Sequence, residues 1–266
     1  MSLQQTFDCE HPVALVTGSG APRVGRAVAS RLAAQGCSLV IHARSSLTEA
    51  EAFAAELRQS GTEALVVKAA MEQPDEVEQM IASSVAHFGR LDILVNSAAI
   101  WQPLPLEEIT AKDVREYLEI NAIGTFIAAR AAGLQMVTQS SGGSIINFGD
   151  WATCRPYLDH AAYFPSKGSV EAMTRSLAVE LAHRNPRVRV NCIQPGPVLL
   201  GEGVDEPTRE AIAQSVLLKR IGTAEEVAHA VEFLCENRFI TGVMLPVDGG
   251  KSIYANDGMQ TGLNTG

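Results

Sequence analysis

The chain has 266 residues, 46% hydrophobic and 19% charged, with 21 Lys and Arg against 30 Asp and Glu and a formal charge of −9. That much apolar material excludes disorder of the whole chain, and the acidic balance excludes a general nucleic-acid binder, which needs many cations for phosphates. No apolar run approaches the ~20 residues of a bilayer span, so no membrane partner is expected.

Taken along the chain, residues 1–11 are mostly polar and lack a basic, apolar leader, so a cytoplasmic protein is expected. Short β-branched runs then alternate with stretches of helical spacing. Strands are predicted at 13–17, 38–42, 64–68, 91–96, 144–148, 188–193 and 243–247. Most are apolar throughout, as parallel strands covered on both faces should be. Helical spacing marks 24–35 and 75–88, and Thr223 followed by Glu226 is a capping box for a late helix. The pattern predicts an α/β protein, a single-domain Rossmann fold with a doubly wound seven-stranded parallel sheet and helices on both faces. Residues 1–11 read as an extension, 12–250 as the domain with a substrate loop at 197–215, and 251–266 as a tail. Asn256, Gly258, Gly262, Asn264 and Gly266 make that tail irregular or partner-dependent.

Cys9, Cys37, Cys154, Cys192 and Cys235 are scattered and lack CxxC spacing, which predicts reduced thiols rather than a disulfide framework or zinc site. The six histidines form no HExxH or HxH pair, so no metal is expected.

The first strand runs into Thr17-Gly18-Ser19-Gly20-Ala21-Pro22-Arg23-Val24-Gly25 and then a helix. Glycines let backbone amides approach a pyrophosphate, and the helix N-terminus favours its charge. The same glycines also suit a plain tight turn, but the place after the first strand of a βαβ unit favours a dinucleotide. The second strand ends in His42-Ala43-Arg44-Ser45-Ser46, where an NAD site usually offers a carboxylate to the ribose, and His42 is an expected cofactor contact. Arg44 and the two hydroxyls, with Arg23 in the loop, suit a 2′-phosphate instead, so NADPH is the expected cofactor. The alternative is that Arg44 is a solvated loop residue.

Tyr163 and Lys167 are four apart and share a helix face. A neighbouring ammonium lowers a phenol's pKa and favours the phenolate. Thr17-Gly18 with Gly25, Asn96-Ser97-Ala98-Ala99, Asn121, Tyr163-Phe164-Pro165-Ser166-Lys167 and Pro195-Gly196 stand in the order found in short-chain dehydrogenases/reductases. The chain resembles that family from about Pro12 to Gly250. The resemblance implies Tyr163, Lys167 and Asn121 as catalytic residues, Lys167 reaching the nicotinamide ribose and Asn121 holding a water in a proton relay. Asn121 as a cap or a core amide is the alternative. It also implies that Asn96 and Ala98 floor the cofactor and that Pro195 and Gly196 contact the nicotinamide. The family commonly forms tetramers through helices around 113–139 and 163–184, so a homotetramer is expected.

Departures narrow the substrate. The family usually has a serine thirteen residues before its tyrosine; here that residue is Asp150. An ionised aspartate accepts and does not donate, so it repels a developing alkoxide. It suits a substrate with N–H groups or an imine nitrogen, and a protonated Asp150 would also donate. This resembles pteridine reductases and dihydromonapterin reductases, which also carry an arginine where Arg23 stands and an aromatic residue where Trp101 stands. Trp101 then stacks on a pterin. A divergent loop aspartate and ordinary indole packing are the alternatives. Ala70-Met71 replaces the usual aspartate near the adenine, leaving backbone or Met71 for that contact. The acidic rim of Glu202, Asp205 and Glu206 belongs to a substrate lid or is a solvated loop.

The expected activity is NADPH-dependent reduction of a pterin-type small molecule, with Tyr163 and Asp150 supplying the proton. A carbonyl or 3-oxoacyl reductase of the same family is the alternative, and a catalytically weak NADPH-binding regulator a second one.

Overall fold

The computed structural model describes residues 1–201 and 203–254. Glu202 and the tail positions named above lie outside those residues.

Seven strands form one sheet: β1 (Val13–Val16), β2 (Ser38–Ala43), β3 (Ala64–Lys68), β4 (Ile93–Asn96), β5 (Gly143–Phe148), β6 (Val188–Pro195) and β7 (Met244–Val247). Their order is β3-β2-β1-β4-β5-β6-β7 and every pairing is parallel. The predicted strands all occur, with ends moved by no more than two residues. β1, β2, β4 and β5 are buried along their whole length, which explains their unbroken apolar runs.

The helices are α1 (Leu3–Phe7), α2 (Val24–Ala34), α3 (Leu47–Gln59), α4 (Pro74–Phe88), α5 (Ala111–Tyr117), α6 (Thr125–Thr138), α7 (Tyr163–Arg184), α8 (Glu206–Gln214) and α9 (Ala224–Glu236). Val28 and Leu32 of α2, Phe53 of α3 and Val231 and Leu234 of α9 bury one face of the sheet. Val77 and Met80 of α4, Ala128 and Ala132 of α6 and Leu177 of α7 bury the other. The Thr223–Glu226 capping box starts α9 as its sequence requires.

Residues 1–11 are not a loose extension. Ser2 and Gln5 close a capping box, and Leu3 and Phe7, one turn apart, are each 1% exposed. Burying a side chain of this size contributes about 1.5–3 kcal/mol, enough to hold a five-residue helix that would not form alone. Arg90 Nη2 donates to Phe7 O at 3.0 Å and fixes the helix to the start of β4.

α5 and α6 are joined by a π-helical segment, Leu118–Gly124. The run Ala111–Thr138 is long and apolar enough by composition to cross a membrane. In the fold its apolar face packs inward: Ile120, Ala128, Ala129, Ala132 and Met136 lie in the core layer shared with α4 and α7.

The strand order reverses between β1 and β4, which opens a crevice beyond their C-terminal ends. Register places Val16 beside Val95, Asn96 beside Asn147 and Phe148 beside Ile193. Gly18, Ala98, Asp150 and Gly196 therefore leave the sheet along one edge.

Candidate active site

The loop after β1 is braced from beneath. Gly18 has φ +70°, a left-handed conformation that favours glycine, and its N–H donates to His42 Nδ1 at 2.9 Å. His42 Nε2 lies 2.9 Å from Ala69 O, so that nitrogen carries the proton. Burial holds this imidazole below its ordinary pKa and keeps it neutral. With 1% exposure and both nitrogens committed, His42 is a strut between β1, β2 and β3, not the ligand contact expected from sequence.

Thr17 Oγ1 accepts from the N–H groups of Ser97 and Ala98, both at 3.0 Å, and ties the first loop to the one after β4. Gly25 lies against that joint: a Cβ there would sit 2.6 Å from Ser97 Oγ and 3.1 Å from Gly18 O. Gly25→Ala is expected to destabilise the protein by about 1–3 kcal/mol through overpacking. A thermal melt checks this, and an unchanged Tm would contradict the packing argument.

Arg23 stands at the N-cap of α2, an eleven-residue helix, with no side-chain cap bond, while Arg26 N donates to Arg23 O at 3.0 Å. Val24 opens that helix and is half-buried. This is the chemistry of a phosphate cradle. At the end of β2, Arg44 and Ser45 are exposed, and Arg44 Nη1 lies 3.2 Å from Glu72 Oε1. Glu72 was missed in the sequence, although it directly follows Met71. Met71 itself is 3% exposed and belongs to the core layer, so its side chain does not offer the expected open adenine contact. Asn96 is also buried, donating to Asn147 Oδ1 at 3.0 Å beneath the crevice floor.

Asp150 caps the 3₁₀ turn Trp151–Thr153: its Oδ1 accepts from Ala152 N at 2.8 Å. Its Oδ2 accepts from the Tyr163 hydroxyl at 2.7 Å. Tyr163 opens α7 and is 4% exposed. Burial first, then the Asp150 charge and this hydrogen bond, push the phenol's pKa up. Lys167 shares its face as expected, but Nζ donates to Phe148 O at 2.8 Å, and burial lowers its pKa. The expected phenolate is therefore not favoured. Helical spacing places the ammonium near the ring, but burial and a carboxylate act in the opposite direction. The arrangement keeps Tyr163 protonated and fit to donate.

Asn121 sits in the π-helical segment. Its Oδ1 accepts from Ile100 N at 2.8 Å, and Nδ2 donates to Ile100 O at 3.0 Å and Ser166 Oγ at 3.1 Å. These bonds use both donors and lock the β4 loop to the start of α7. Its side chain thus ties the core together at this point.

Trp101 is half exposed; its Nε1 donates to the Tyr157 hydroxyl at 3.0 Å, and its ring stacks on His160 at 4.7 Å. Tyr157 in turn stacks on Trp151 at 6.2 Å, and its pKa is pushed up to about 12 by burial and the Asp150 charge. Sequence reasoning missed this wall, whose signal is the density of rings between Trp151 and Phe164. It also missed Glu171, two turns beyond Tyr163 on one helix face. Glu171 Oε1 accepts from Thr153 Oγ1 at 2.5 Å and Gln194 Nε2 at 2.8 Å, joining the Asp150 loop to the strand end that carries Pro195 and Gly196. Gly196 N donates to Val247 O at 3.0 Å and closes that edge. Among the described residues, no group of three or more His, Cys, Asp or Glu side chains is placed to hold a metal.

The profile of the family described as Enoyl-(Acyl carrier protein) reductase matches residues 21–252. The chain belongs to the short-chain dehydrogenase/reductase family. It is an oxidoreductase of that family by sequence, fold and active-site order. It is 36% identical over 248 residues to the granaticin polyketide synthase putative ketoacyl reductase 2 of Streptomyces violaceoruber, covering 91% of this chain and 96% of that one. It is 35% identical to a 3-oxoacyl-[acyl-carrier-protein] reductase of Synechocystis, covering 91% and 97%. Among solved structures, a blue fluorescent protein from a metagenomic library in complex with NADPH superposes with a TM-score of 0.83 at 32% identity, covering 90% of this chain and 97% of that one. None of these relatives is named a pteridine reductase, so the finer resemblance drawn from Arg23, Trp101 and Asp150 gains no support from them.

Proposed function

We propose that the protein uses NADPH to reduce a carbonyl group on a small molecule, with 3-oxoacyl compounds as the substrate class. The observation that carries this reading is Tyr163 at the head of α7, buried with its phenol pKa pushed up, so that it holds a proton to give. The names of the two ketoacyl reductase relatives agree with it. The loop from Gly18 to Gly25, with Arg23 and Val24 at the helix start, holds the pyrophosphate; Arg44 and Ser45 take the 2′-phosphate. Asn96 and Ala98 floor the cleft, and Pro195 and Gly196 flank the nicotinamide. Bound NADPH supplies the hydride. Tyr163 then gives its proton to the substrate oxygen, Asp150 orients that hydroxyl beforehand, and Lys167 anchors the end of β5 beneath them. Residues 12–250 make up the catalytic unit, with 197–215 as the substrate lid. A homotetramer through the helices around 113–139 and 163–184 belongs to this reading, because Ile123, Phe126, Leu134 and Val179 leave apolar surface exposed on them. So does a cytoplasmic location.

A pterin is the second reading, and Asp150 favours it: a carboxylate suits a substrate that brings its own N–H donors. Asp150→Ser separates the two. A positioned donor at the reacting oxygen is worth up to about 10²–10³ in kcat, so the variant gains on a 3-oxoacyl thioester and loses on dihydrobiopterin. NADPH oxidation by the wild type on the pterin alone would overturn the carbonyl reading. NADPH binding with no turnover on either would support a regulator.

A further inference from the structure

A pair of cations lies at the far end of the aromatic wall. Arg155, exposed in the loop before α7, donates through Nη1 to Lys251 O at 2.9 Å and to Tyr254 O. Lys251 Nζ donates to Ser215 Oγ at the end of α8 and lies 5.4 Å from the centre of the Trp151 ring. Among the described residues, neither forms an ion pair with a carboxylate. Burial, then the Arg155 charge, hold the Lys251 ammonium below its ordinary pKa. Arg155 is thus fixed to the backbone of Lys251, in a chain of net charge −9 where carboxylates are in excess.

Their position gives the pair a meaning. From Tyr163 the contacts run to His160, then to Trp101 stacked on it, to Tyr157 through the indole N–H, and to Trp151 stacked on Tyr157. Lys251 closes this series and bridges it to the lid helix α8. The series is a continuous line of side-chain contacts from the proposed acid Tyr163 to the Lys251 ammonium.

We propose that Arg155 and Lys251 form the anion-binding end of the substrate site, pairing with a phosphate or carboxylate that the substrate carries remote from its reacting carbon. This rests on the carbonyl-reductase reading and adds the charge of the substrate to it. A phosphate takes two N–H donors from the guanidinium and one from the ammonium; a carboxylate takes the guanidinium fork.

The test compares matched substrates. Steady-state kinetics are measured with 3-oxobutanoyl thioesters of pantetheine and phosphopantetheine, and with those of N-acetylcysteamine and N-succinylcysteamine. The first pair reports phosphate, the second carboxylate. In the wild type at least one charged member has a kcat/KM about tenfold above its neutral twin, equivalent to one partly exposed charge-assisted contact. Arg155→Gln and Lys251→Gln each collapse that ratio, and Arg155→Lys restores most of it. A merely structural role for either residue lowers both twins together and leaves the ratio unmoved. Equal kcat/KM for both twins in both pairs overturns the proposal, as does a ratio that survives in both glutamine variants. Titration calorimetry of free phosphopantetheine, pantetheine, N-succinylcysteamine and N-acetylcysteamine gives a readout without turnover. Preferential binding of a charged member, lost in Arg155→Gln, upholds the anion site even if no thioester is reduced. Equal binding within both pairs then overturns it, separately from the fate of the carbonyl reading.

Discussion

Tyr163→Phe lowers the rate of substrate reduction by about 10²–10⁴-fold, the range of a positioned general acid, while NADPH still binds. The variant removes one hydroxyl from a ring that stays packed against Tyr117 and Phe164, so the fold has little reason to change. What is lost is the proton that Asp150 now holds in place at 2.7 Å. The direction of the Tyr163 pKa adds a second expectation. Burial and Asp150 raise it, so the protonated form persists as pH climbs through the ordinary tyrosine range near 10. Reduction by the wild type therefore shows no loss at that pH from deprotonation of Tyr163. Rates from single turnovers and a pH profile check both points. A Tyr163→Phe enzyme of unchanged rate would remove the residue from its role.

Arg44→Ala weakens NADPH by about tenfold or more and NADH far less, because a guanidinium–phosphate bond contributes about 1.5–3 kcal/mol. The lower end of that range applies. Arg44 is exposed, and Glu72 already holds its guanidinium at 3.2 Å, so the 2′-phosphate must share or displace a carboxylate. Fluorescence titration of both nucleotides measures the two constants on one protein. Equal weakening of NADPH and NADH would contradict 2′-phosphate recognition.

Much of this molecule was legible before its structure. The buried parallel strands announce themselves as apolar runs, because both of their faces are covered. Tyr163 and Lys167 fall on one face because α-helical spacing dictates it. Spacing does not reveal burial, however, and burial reverses the expected pKa of Tyr163. Nor does it reveal partners distant in sequence: His42 bonds to Gly18 and Ala69, and Asn121 bonds to Ile100 and Ser166. These side chains hold the loops that shape the site, and for Asn121 this matches the core amide weighed as an alternative to a proton relay. Leu3 and Phe7 were overlooked because the residues around them are polar; their one-turn spacing after a Ser2–Gln5 capping box was the available signal. Glu72 and the Arg155–Lys251 pair gain their meaning only from contacts that no local pattern encodes.

The most direct test of the central reading follows the hydride. The protein is incubated with a 3-oxobutanoyl thioester and NADPH carrying deuterium at the reactive ring carbon, and the product is analysed by mass spectrometry and NMR. Carbonyl reduction predicts a 3-hydroxy thioester with one deuterium on the carbinol carbon and loss of NADPH absorbance in equal amount. An unreacted thioester with intact NADPH, under conditions where dihydrobiopterin is reduced, would contradict it.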